Sequence, residues 1–115
     1  INSNLRPTFA DGLLFTVTIE GYLVVIDSRN GNIVRITNVF DSIKNYKKIN
    51  VKPVGFVVTE DNIYLSLNNG KLIIVNIATG KSTDVIKIDS EKISRPYVLN
   101  NNMYIIRDNS VLKLN

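Results

Sequence analysis

Short apolar and β-branched runs recur along the chain, each bounded by Gly, Asn, Asp or Pro. The first group is Thr8–Ala10, Leu13–Ile19, Tyr22–Asp27 and Ile33–Phe40. A second group follows at Val54–Thr59, Ile63–Leu67, Leu72–Ile77 and Thr83–Ile88, and a third at Tyr97–Leu99, Met103–Arg107 and Val111–Leu114. Val, Ile, Leu, Phe, Tyr and Thr dominate these runs, the residues that suit a half-buried pleated surface, so each run predicts a strand. Leu23-Val-Val-Ile26 and Leu72-Ile-Ile-Val75 are continuously apolar rather than alternating, which predicts third strands buried on both faces. No stretch keeps a useful helical period; Asp41–Lys48 predicts a turn or two at most.

The groups are copies of one another. Arg6-Pro7, Lys52-Pro53 and Arg95-Pro96 each precede a first strand, where a missing N–H is tolerated. Gly21 and Gly70 stand 49 residues apart, as do Gly31 and Gly80. Asn69-Gly70 reads as a type I′ hairpin, Glu20-Gly21 as a similar turn and Asn109-Ser110 as a weaker one, while Asn30-Gly31 and Thr79-Gly80 close the next hairpins. A period in the 40s with four strands per unit is the signature of a β-propeller. The fold class expected is therefore all-β: a partial β-propeller of about two and a half four-stranded antiparallel blades. Residues 1–115 form one repeat array, with blade-like units at about 6–40 and 52–88 and an incomplete one at 95–115. A ring of ~4–8 blades needs more strands than this, so the expectation is a fragment of a larger propeller. A complete small β-sandwich is the alternative, though sandwiches seldom repeat turn residues in register.

Composition narrows the chemistry. The chain has no Cys, which removes thiolate metal sites, disulfides and thiol nucleophiles, and no His, which removes imidazole as base, shuttle or ligand. The net charge of +4 is mild, and nucleic-acid binding calls for a stronger basic bias with stacking aromatics, so nucleic acid is not an expected partner. No apolar run approaches the ~20 residues of a membrane span.

Leu23-Val-Val-Ile-Asp27-Ser-Arg-Asn30-Gly31 and Ile73-Ile-Val-Asn76-Ile-Ala-Thr79-Gly80 resemble the strand-to-turn segment of pyrroloquinoline-quinone-like propeller repeats. That pattern is an apolar strand, Asp, two variable residues, Thr or Asn, then Gly. Asp27 and Asn76 take the Asp position, Asn30 and Thr79 the next, and Gly31 and Gly80 the last. The resemblance covers nearly the whole chain. It departs where enzymes of the family carry a Trp four residues after the Gly: Arg35 and Asp84 stand there, and the chain has no Trp. Counterparts of the family's quinone and calcium ligands are not recognisable either. The resemblance thus implies the non-catalytic branch, typified by the propeller lipoprotein of outer-membrane β-barrel assembly. It implies a scaffold in the periplasm, or associated with the outer membrane through its parent protein, with a protein partner such as a barrel-assembly component.

Candidate residues are few. Lys44, Tyr46, Lys47 and Lys48 lie in the longest and most basic connection, read either as a contact loop for an acidic protein partner or as a solvated loop. Asp27-Ser-Arg-Asn-Gly31 lacks the acidic third position and distal Glu of a calcium loop, which favours a structural turn. Glu20, Glu60, Asp61, Asp89 and Glu91 fall in turns, and no spacing pairs two of them for acid–base work. Phe15, Tyr64 and Tyr104 occupy equivalent positions, as an inter-blade core layer would. The expectation is a non-enzymatic scaffold without catalytic, cofactor-binding or metal residues. The alternative is a fragment of a quinone-dependent dehydrogenase or other propeller enzyme whose catalytic residues lie outside the chain. A partial ring also leaves blade faces uncovered, which predicts self-association of the fragment.

Overall fold

A computed structural model describes residues 5–41 and 51–114. Among these residues there is no helix, and eleven strands form three antiparallel sheets. The first sheet runs β1 (Thr8–Ala10), β2 (Leu13–Val17), β3 (Tyr22–Asp27), β4 (Ile33–Asn38) in sequence order. The second repeats the meander with β5 (Pro53–Val58), β6 (Asn62–Leu67), β7 (Lys71–Asn76) and β8 (Ser82–Lys87). The third holds β9 (Tyr97–Leu99), β10 (Asn102–Arg107) and β11 (Ser110–Lys113). This is the expected all-β partial propeller.

The repeat extends to irregularities. The β3–β4 ladder slips between Val25 and Ile26, and the β7–β8 ladder slips between Ile74 and Val75. Val34 and Thr83 are the extra residues, again one period apart. A bulge adds local twist, so each of the first two blades carries the same extra twist toward its outer strand.

Between the first two blades the pleat alternates as burial requires. Phe15, Val17, Leu23 and Val25 of the first blade meet Ile63, Leu65, Leu67, Ile73 and Val75 of the second in one buried cluster. Fully burying each such side chain contributes about 1.5–3 kcal/mol against exposure. Leu23, Val24 and Val25 in β3, and Leu72 and Ile73 in β7, are buried consecutively, as the unbroken apolar runs predict. β11 differs, because most of it is exposed. The second seam is thinner: Leu72, Ile93 and Ile105 are its buried core, with Tyr64, Ile88 and Leu114 packed around them.

The turn chemistry corrects the sequence reading. Asn69-Gly70 is not type I′: among the two only Gly70 has positive φ, and its N–H donates to the Leu67 carbonyl. Ser66 pairs with Leu72, leaving a three-residue loop 68–70 that ends in a left-handed glycine. Gly21 closes the equivalent loop through the Thr18 carbonyl. The two-residue positive-φ turns lie elsewhere, at Asp11-Gly12, Asn100-Asn101 and Asp108-Asn109. The last of these sits one residue before the expected Asn109-Ser110. Asn and Asp tolerate left-handed backbone through local side-chain bonding, which lets them stand where Gly is the default.

Candidate functional site

The sheets approach each other most closely at one edge, where β1 lies against β5. That edge is the inner one, and the segments that enter the first strand of each blade converge beside it. Leu5, Arg6, Thr8, Gly55, Phe56 and Arg95 line a cleft of about 240 Å³ there. Gly55 is required by the close packing: a Cβ on it would fall 2.4 Å from the Cβ of Arg95. Arg95 then reaches back along β5, its Nη2 donating to the Phe56 carbonyl at 3.4 Å, with its guanidinium 5.0 Å from the Tyr97 ring centre.

A larger cleft of about 440 Å³ opens between the second and third blades. Tyr64, Ile74 and Ile86 line one wall, Val98, Met103 and Leu114 the other. It lies above the thin Leu72–Ile93–Ile105 core, where the third blade packs less fully than the second packs on the first. Tyr64 borders it, while Phe15 at the same position in the first blade is sealed at 3% exposure. The aromatic layer expected at Phe15 and Tyr64 is therefore present at both seams. Tyr104, its third member, is partly exposed.

At the position where the resembled repeats carry Trp stands Arg35. Arg35 on β4 crosses the first seam, and its Nη1 and Nη2 donate to the carbonyls of Ile77 (2.7 Å) and Ala78 (2.9 Å) in the turn after β7. Ser82 adds a hydroxyl bond to the Val39 carbonyl across the same seam. In the sequence Arg35 reads only as a departure from Trp; its long stem and forked head are the signal that it can span two carbonyls.

The Asp27 carboxylate bonds within its own turn. Its Oδ1 accepts the Arg29 backbone N–H at 2.9 Å, and its carboxylate takes both Nε and Nη2 of Arg29. The Arg29 bonds hold its pKa at about 2. The second blade repeats the backbone bond, Gly80 N–H to the Asn76 carbonyl as Gly31 N–H to that of Asp27, while Asn76 Oδ1 accepts the Thr79 N–H, three residues on rather than two, at 3.0 Å. Glu20, Glu60, Asp61 and Glu91 are exposed, and Asp89 is partly buried, 3.9 Å from Arg107. Among the described residues no group of three or more metal-ligating side chains gathers, and no helix is long and apolar enough to cross a membrane. Lys44, Tyr46, Lys47 and Lys48 lie outside the described residues.

Large apolar side chains stand exposed on both end blades: Phe9 (64%), Ile33 and Ile36 on the first, Leu99 (63%), Ile106 and Val111 (66%) on the third. These are positions a neighbouring blade covers in a longer array.

No family model and no curated protein matches the chain. Solved structures do. The chain is similar to the quinohemoprotein alcohol dehydrogenase of Comamonas testosteroni at 21% identity and TM-score 0.64, covering 90% of this chain and 17% of that one. It is similar to the quinohemoprotein alcohol dehydrogenase ADHIIG of Pseudomonas putida HK5 at 18% identity and TM-score 0.66, covering 90% of this chain and 16% of that one. The WD40 propeller domain of Doa1 matches at 14% identity and TM-score 0.66, over 94% of this chain and 34% of that one. The chain thus spans a small part of the length of the natural proteins it matches. At these identities the likeness establishes the fold, and the fold is that of a β-propeller segment.

Proposed function

We propose that the chain is the repeat array of a non-enzymatic propeller scaffold of the bacterial envelope that holds a protein partner, in keeping with the role of the lipoprotein its repeats resemble. The observation that carries this reading is the first seam, which Arg35 holds through the Ile77 and Ala78 carbonyls where the enzymes of the resembled family carry Trp. The basic segment with Lys44, Tyr46, Lys47 and Lys48 is the proposed contact for an acidic partner surface.

The test is fractionation of source cells with an antibody against this chain. The scaffold reading expects a band several times heavier than the chain's 12.9 kDa in the envelope fraction. It further expects that reversing the charges of Lys44, Lys47 and Lys48 reduces cross-linking to the barrel-assembly machinery. A soluble 12.9 kDa species would overturn it. Quinone-dependent alcohol oxidation by the parent protein would replace it with the enzyme reading.

A further inference from the structure

We propose that the inner-edge cleft between Arg6 and Arg95 is a binding site for a carboxylate, carried either by a small organic acid or by an acidic side chain of a peptide. This inference goes beyond the scaffold reading and does not depend on where a partner docks. Arg6 and Arg95 line one cleft of about 240 Å³ although 89 residues of chain separate them. They come from the same position of two repeats, the basic residue immediately before the Pro that precedes the first strand.

An anion in a cleft lined by two cationic side chains is attracted by both. Neither is neutralised in place: among the described residues Arg6 has no hydrogen bond or ion pair, and no carboxylate pairs with Arg95. Arg95 carries five donor hydrogens, and its protein bond is a single long one to the Phe56 carbonyl. A planar guanidinium fork matches the spacing of two carboxylate oxygens. Thr8 adds a hydroxyl to the same wall. Gly55 lets the Arg95 stem lie directly on β5, and any side chain there would displace it. Leu5 and Val54 are the partly exposed apolar residues of the same lining. At about 30 Å³ per displaced water, the volume suits a small organic acid or a side chain rather than a bulky polyanion.

The experiment titrates the chain, at low ionic strength, into dye-labelled hexaglutamate and follows fluorescence anisotropy, with unlabelled glutarate as competitor. Saturable binding is expected. Arg6→Gln should weaken it about tenfold, the size of one lost charge-assisted bond pair, with the melting temperature unchanged because Arg6 supports no packing. Arg6→Lys should fall between, having charge without the fork. Lys87→Gln, which removes the same charge from the outer strand β8, should change binding less than twofold. Displacement by glutarate would identify a small acid as sufficient. R6Q-sensitive binding that glutarate does not displace would identify the peptide side chain as the source. Equal losses in R6Q and K87Q would mean diffuse attraction and overturn the site, as would no saturable binding of either probe.

Discussion

The stem of Arg35 lies directly across Gly80: a Cβ on the glycine would stand 2.8 Å from Arg35 Cδ and 2.7 Å from Thr37 Oγ1. Gly31, its counterpart one repeat earlier, has the same φ of +74° but nothing within 4 Å. The two positions therefore separate backbone strain from seam packing. Gly31→Ala is expected to cost about 1 kcal/mol through left-handed backbone alone. Gly80→Ala should cost about 2 kcal/mol more, because the seam must open to admit the methyl. Urea midpoints of the two variants measure the difference. Equal losses would mean that the first two blades do not pack as described.

Arg35 ties that seam by hydrogen bonds as well as by its stem. Arg35→Met keeps most of the apolar stem and removes both bonds to Ile77 and Ala78. Partly exposed carbonyls can turn to water, so the loss should be about 1–2 kcal/mol, below the range for buried charged bonds. Arg35→Lys should recover part of it, since one ammonium does not span two carbonyls in the fork's geometry. Full recovery by Lys would show that charge alone matters at this position.

These seam residues mark where the sequence could be read and where it could not. Strand positions were legible to within two residues, because period-2 burial and turn residues are local signals. Asn69-Gly70 misled because Asn68 belongs to the same loop: hairpin type depends on loop length, which three consecutive polar or small residues leave undefined. Arg35 looked like a missing Trp because its partners lie 42 and 43 residues away on another sheet. Arg6-Pro7 and Arg95-Pro96 were visible as a repeat, yet their convergence follows from how the inner strands come together, which no local pattern encodes. The Lys44–Lys48 proposal rests on the sequence still.

Asp27 offers a pH test. Hydrogen bonds from the Arg29 side chain and backbone N–H hold its pKa at about 2. The depressed value means that the pair's contribution to stability is complete above the unfolded carboxylate pKa of about 3.9 and is lost as pH falls through about 2. A carboxyl-carbon NMR titration should find the Asp27 midpoint at the low value, moving upward in Arg29→Gln. The shift should be incomplete, because the backbone N–H of residue 29 still donates. With the Arg29 side chain 84% exposed, added salt should weaken the pair. A midpoint in the ordinary carboxylate range, unaffected by R29Q, would contradict the turn geometry.

Ser66 is fully buried on β6, opposite Gly55 and Leu72, and its hydroxyl has no hydrogen-bond partner. One repeat earlier the same position is Val17, packed into the first seam. An unsatisfied hydroxyl keeps its desolvation cost with no bond in return. Ser66→Ala is therefore expected to stabilise the chain by about 1 kcal/mol, an unusual sign for a core truncation. Ser66→Val restores the apolar residue of the first blade but adds volume beside Leu72, so its gain should be smaller unless the third blade moves outward. Urea melts of the two variants decide the matter, and destabilisation by S66A would mean that the hydroxyl has a bonding partner, such as a buried water.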